Sequence, residues 1–111
     1  MKAGDIALTP LPQADGTVKN RPALVLREMP SYRDFLVCGV STQLHQEVKG
    51  FDEIINTLDA DFPSSGLKTA SLSRLGFLAT LPRKSLVGSI GSVAPERHRR
   101  LLQRLSDYLV Q

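Results

Sequence analysis

The sequence predicts a mainly β protein, closed by one C-terminal helix and curled into a small barrel. Short stretches of alternating apolar and polar residues, about six in all, are punctuated by glycine and proline, which is how strands and turns read. The closing segment, APERHRRLLQRLSDYLVQ, switches to a helical period. Several short, glycine-broken strands within about 90 residues favour a curled barrel over a two-sheet sandwich.

The first strand lies in GDIALTPL, where Ile6 and Leu8 alternate with smaller or polar residues. PLPQADGTVKN then carries Pro10, Pro12 and an Asp15-Gly16 turn signal. It reads as a loop longer than the about two to five residues of an ordinary hairpin, and such loops are often functional. ALVLRE and DFLVCGVS are the next two strands, across the turn MPSYR. The nearly continuous apolar run Val37, Cys38 and Val40 predicts that the third strand is buried on both faces.

FDEIINTL fits a strand or a short helix, because Ile54, Ile55 and Leu58 satisfy either period. DFPSSGLK reads as a loop from Pro63, Ser64, Ser65 and Gly66. TASLSRLGFLATLP alternates, with Ala70, Leu72 and Arg74 on one side and Ser71, Ser73 and Leu75 on the other. Gly76 within it predicts a bulge or bend. SLVGSIGSV is the last strand. In the terminal segment Leu101, Leu102, Leu105, Tyr108 and Leu109 form one amphipathic stripe. Pro95 suits the first helical turn, and Glu96 complements the helix dipole there.

A length of 111 residues suits a single domain, 1–111, able to bury a core. No run approaches the ~18 apolar residues that cross a bilayer, so no membrane partner is expected. The N-terminal MKAGDIALTP turns polar too early for a secretory apolar region, and the expected location is the cytoplasm. Cys38 stands alone, which rules out an intrachain disulfide. Two histidines and one cysteine show no zinc-ligand spacing. No phosphate-cradling glycine loop or nucleophile elbow is present either. No metal or other cofactor is therefore expected.

The net charge of +3 conceals an asymmetry. Asp52, Glu53, Asp59 and Asp61 fall between Phe51 and Gly66, a stretch without lysine or arginine. All 14 basic residues lie elsewhere, against 7 acidic ones, a moderate footprint for a polyanion. Asp59 and Asp61 would share a face if extended, but the segment reads as a solvated acidic loop. Arg97, His98, Arg99 and Arg100 in ERHRR read as a solvated helix face, and His45 as a surface histidine in a polar turn.

Arg21 is the more promising position. Pro22 confines the residue before it to extended backbone, so Arg21 is presented in a fixed direction where loop meets strand. A guanidinium so placed grips a phosphate through two parallel hydrogen bonds. Ser41, Thr42 and Gln43 add two hydroxyls and an amide at the end of a buried strand. Arg74 sits mid-strand, where an unpaired charge is costly to bury, so it faces solvent, a carboxylate or a groove.

The order GDIALTP, RPALVL, DFLVCGVSTQ, an acidic stretch, DF, GL, SLSRLGFLATL and GSIGSV resembles the PemK/MazF family of toxins from toxin–antitoxin pairs. The resemblance runs from Gly4 to about Val93, and the terminal helix agrees in type. It implies an SH3-like barrel, a homodimer and metal-independent cleavage of single-stranded RNA. It also implies a cognate antitoxin whose disordered tail occupies the RNA groove. The family's catalytic arginine falls on Arg21 and its catalytic hydroxyl on Ser41, with Thr42 in the second position. Arg74 matches the arginine that helps hold substrate, and Lys19, Asn20, Gln43, Lys68 and Ser73 are the further expected RNA contacts.

Cleavage of this kind uses the substrate's own 2′-hydroxyl, so the protein need only position the phosphate, neutralise charge and manage two protons. Arg21 would supply the electrostatic part, and Ser41 would orient the phosphate. Ser41 stands where several relatives have threonine. Most of the six aromatics read as core or turn residues, so base stacking is not well provided for. Base choice would rest on Leu11–Asn20 and Gln43. The alternative is a non-catalytic module of the same barrel that binds a protein such as a topoisomerase, or only an antitoxin.

Overall fold

The computed structural model describes residues 1–12 and 14–111. Among the described residues, one antiparallel sheet holds β1 (Asp5–Pro12), β2 (Val18–Glu28), β3 (Phe35–Ser41), β4 (Glu53–Ile55), β5 (Ser71–Leu81) and β6 (Gly88–Ser92). Its strand order is β4-β5-β3-β2-β1-β6. A short helix α1 (Phe62–Ser65) and the C-terminal helix α2 (Pro95–Leu109) complete the elements, with single 3₁₀ turns at Leu44–Gln46 and Arg83–Ser85.

The central strands carry the apolar runs and are buried accordingly. Ala23–Leu26 of β2 and Val37–Val40 of β3 are all buried. On one face of the sheet Ile6, Leu24, Leu26, Cys38, Val40, Ile55 and Leu75 pack with Leu101 and Leu105 of α2. On the other, Ala7, Ala23, Val25, Phe35 and Val37 form a second cluster, edged by Phe77, Ala79, Leu81 and Leu86. The third strand is thus buried on both sides, as its composition predicts.

β4 and β6 are the two edges of the sheet, and α1 bridges the gap between them. Ser64 Oγ donates to the Ser92 carbonyl at 3.1 Å. Two glycines permit this approach. A Cβ on Gly66, at φ +74°, would collide with the Ile90 carbonyl, and one on Gly91 would collide with the Ser64 and Ser65 backbone. DFPSSGLK, expected as a loop, therefore contains a helical turn with proline in its first turn and Gly66 as its left-handed cap. FDEIINTL resolves as the strand β4.

A second difference concerns PLPQADGTVKN. It is not a long loop, because β1 and β2 stay paired as far as Pro12 opposite Val18. The prolines fit because β6 pairs with β1 only over Asp5–Leu8. Beyond Leu8 no strand among the described residues pairs with that side of β1, and a residue without an N–H is tolerated there. Asp15 holds the turn, accepting from the Thr17 N–H at 3.0 Å and the Thr17 hydroxyl at 2.7 Å. Gln13, within the stretch assigned to base choice, lies outside the described residues.

The acidic segment is not a solvated loop, nor is the ERHRR face fully solvated. Arg97 is 6% exposed and sits among Glu53, Asp59 and Asp61. Its Nη1 also donates to the Ile54 carbonyl at 3.1 Å. Arg100 and Arg104 reach Glu53 from the next turns of α2. His98 Nε2 donates to the Leu26 carbonyl at 2.7 Å, while Arg99 stays exposed. The stripe of α2 therefore runs Arg97, Leu101, Leu105, and its last members Tyr108 and Leu109 are exposed.

Candidate functional site

β5 pairs with β3 in two blocks. Cys38 stands opposite Leu78, but the next residue, Gly39, stands opposite Arg74. Leu75, Gly76 and Phe77 are extra on β5, a bulge at the glycine where the sequence predicts one. The bulge bends β5 sharply, and its three residues go different ways. Leu75 is buried in the α2-facing core, Gly76 is exposed, and Phe77 turns over Gly39.

Beside this bend lies a groove of about 660 Å³ lined by Arg21, Gly39, Ser41, Thr42, Gln43, Arg74 and Phe77, with Ala14, Val40 and Gln46. Arg21 comes from the junction within β2 between the exposed arm Val18–Arg21 and the buried run Ala23–Leu26. Ser41 ends β3 beside Arg74's strand, since Ser41 pairs with Leu72. Thr42 and Gln43 follow, and the 3₁₀ turn brings Gln46 back to the groove.

The electrostatics are one-sided. Two guanidiniums face the groove, and no carboxylate is among its lining residues. Among the described residues neither Arg21 nor Arg74 is ion-paired, whereas Arg97, Arg100 and Arg104 are all taken up by the acidic segment. The Ser41 Oγ accepts from the Gln43 N–H at 3.0 Å. This local bond fixes the hydroxyl oxygen, leaving its proton free to donate into the groove. Two guanidiniums, two hydroxyls and amide groups thus line a groove whose chemistry suits an anionic group.

Of the residues expected from sequence, Arg21, Ser41, Thr42, Gln43 and Arg74 converge on this groove. Lys19 and Asn20 are exposed on the same arm as Arg21 but do not line it, and Lys68 is exposed before β5. Ser73 is a correction. It is fully buried, and its hydroxyl donates to the Glu53 carbonyl at 2.8 Å, tying β5 to β4. It has neither the exposure nor a free proton for RNA. Gln46 and Phe77 were missed. The bulge at Gly76 is the signal that finds Phe77, because it breaks the alternation that would have placed the ring in the core.

Among the described residues, no group of three or more His, Cys, Asp or Glu side chains is placed to hold a metal ion. Among the described residues no helix is long and apolar enough to cross a membrane.

The fold and groove define a curled β barrel with a C-terminal helix and an anion-receptive cleft at one end of its central strands. Residues 2–109 match the family of PemK-like, MazF-like toxins of type II toxin–antitoxin systems, and the chain belongs to that family. Among solved structures, the Mycobacterium tuberculosis toxin MazF-mt6 superimposes with a TM-score of 0.67 at 20% identity, over 96% of each chain. At that identity the likeness establishes the fold. No curated protein sequence matches significantly.

Proposed function

We propose that this toxin is an endoribonuclease that cuts single-stranded RNA in the groove of Arg21, Ser41, Thr42, Gln43 and Arg74. The observation that supports it most is the pair of uncompensated guanidiniums beside an oriented hydroxyl. Guanidinium groups remain charged at neutral pH, so Arg21 acts on the charge of the transition state and not as a base. The RNA 2′-oxygen attacks the adjacent phosphorus, and the bond to the 5′-oxygen breaks. The proton lost at the 2′-hydroxyl is balanced by one gained at the leaving 5′-oxygen, giving a 2′,3′-cyclic phosphate and a free 5′-hydroxyl. Ser41 donates to a non-bridging oxygen, Thr42 and Gln43 flank it, and Arg74 holds the neighbouring phosphate. The step uses no metal.

Membership in a type II toxin family brings a protein antitoxin as partner. In this reading the antitoxin covers the groove, the toxin acts as a homodimer, and the setting is the cytoplasm. The test is incubation of the purified protein with mixed-sequence single-stranded RNA in EDTA, with Arg21→Ala as control. Cleavage leaving cyclic phosphate ends, and lost in the variant, is expected. Intact RNA, or equal cleavage by the variant, overturns the proposal. Growth arrest with intact RNA would favour the non-catalytic alternative.

A further inference from the structure

The groove holds one group that phosphate chemistry does not use. Phe77 is half-buried, not enclosed. On its protein side the ring packs on the cluster of Ala7, Ala23, Val25, Phe35 and Val37. It lies directly over Gly39, where an added Cβ would stand 3.3 Å from Cδ1 and 3.4 Å from Cγ. Its remaining surface lines the groove with Arg21, Ser41 and Arg74. Gly39 leaves room for the ring, and the bulge of Leu75–Phe77 swings it there. An aromatic ring backed by apolar packing and open beside two phosphate-binding arginines offers a stacking platform.

We infer that Phe77 is a nucleobase-stacking residue, holding the base next to the phosphate gripped by Arg21. This rests on the proposed reading of the groove as an RNA site. Single-stranded nucleic acid is recognised by pairing backbone cations with aromatic faces, and here both occur in one cleft. Gln43 and Gln46 line the same groove and offer amide edges to the stacked base. Stacking supplies affinity that any base satisfies, and the two amides supply choice among bases.

The sequence contains no tryptophan, so Phe77→Trp introduces one fluorophore at the platform itself. The probe is a fluorescein-labelled 2′-O-methyl oligoribonucleotide pool of random sequence, which binds without being cut. Anisotropy of the label reads binding, and tryptophan emission, followed with the unlabelled pool, reads stacking. Quenching that saturates in step with binding is expected. In parallel, Phe77→Leu keeps the apolar packing and removes the ring. Its KM for RNA should rise roughly 5- to 150-fold with a much smaller fall in kcat, and Phe77→Tyr should restore it. Binding without quenching, together with an unchanged KM in Phe77→Leu, overturns the stacking role while leaving the RNA site standing. Absence of binding by the wild-type chain overturns both. Unchanged RNA binding with weakened antitoxin binding in Phe77→Leu would assign the ring to the protein partner, and would equally overturn stacking.

Discussion

Arg97 grips Asp61 through two nitrogens, with Nε 2.8 Å from one carboxylate oxygen and Nη2 3.0 Å from the other. The same guanidinium donates to Glu53 at 2.9 Å and to Asp59 at 2.8 Å. Asp61 also accepts from the Ala94 N–H at 2.9 Å, at the entrance to α2. One side chain thus fastens the helix to β4 and to the segment that leads into α1.

Removing one member of a buried ion network leaves its partners desolvated and unpaired, typically a loss of about 3–5 kcal/mol. Arg97→Ala is therefore expected to be among the most destabilising single changes. Urea unfolding of variant and wild type measures it. Arg99→Ala, on the exposed side of the same turn, should shift the midpoint little.

The same network sets a pH dependence. The hydrogen bonds from Arg97 hold the Asp61 carboxyl below its ordinary range. Burial opposes charge on Glu53, but the Arg100 hydrogen bond and the charges of Arg100, Arg97 and Arg104 win and lower it. The folded chain keeps these carboxylates ionised to lower pH than the unfolded chain does. In acid the unfolded state binds more protons, so stability falls with pH. The contribution is complete above about pH 5 and declines as pH drops through about 4 and below. Urea midpoints from pH 7 down to 3 should show it, with a shallower decline in Asp61→Asn.

Not all of this was legible in the sequence. The succession of strands along the chain, the buried third strand, the bulge at Gly76 and the terminal helix follow from alternation, glycine placement and a change of period. The Arg97 network does not, because its partners lie 36 to 44 positions away. Each charge considered alone belongs in water. The single turn α1 is too short to show a period. In the groove, Arg21 was readable from Pro22, and Ser41 from its place at the end of a strand. Ser73 was misassigned because alternation cannot tell a serine facing a groove from one pinned to a neighbouring strand.

Close packing of α1 on β6 gives a third expectation. Gly91→Ala pushes a methyl into the Ser64–Ser65 backbone, and backbone cannot swing aside as a side chain can. A loss of about 1–3 kcal/mol is expected, read by denaturant titration. Gly16→Ala is the comparison. Its φ is positive, at +85°, which that of Gly91 is not, but nothing surrounds the added carbon, so only the backbone cost of about 1 kcal/mol applies.

Cys38 gives a reporter of unfolding. Burial, aided by the charge of Asp52, pushes its thiol up to about 12, and the residue is fully buried in the core. At pH 8 the native protein should resist a thiol reagent that labels it at once in denaturant, because the thiolate is the reactive form. With one cysteine in the chain, the labelling rate in water measures opening of the core.

If RNA occupies the groove, Arg74 contributes through phosphate contact. Arg74→Ala should weaken binding and lower the slope of log affinity against log salt by about 0.7. Binding titrations of the 2′-O-methyl pool across a salt series measure this directly.

The acidic segment Asp52–Asp61 contains no basic residue, and its counter-charges arrive with Arg97, Arg100 and Arg104. A chain still being synthesised therefore carries Glu53, Asp59 and Asp61 without these ion-pair partners until its last few turns emerge. Ser73 holds β5 to β4, so the strand bearing Arg74 and Phe77 is anchored to the element that waits longest for neutralisation. A toxin truncated before α2 would therefore lack the charges that fasten β4, and through it the strand carrying Arg74 and Phe77.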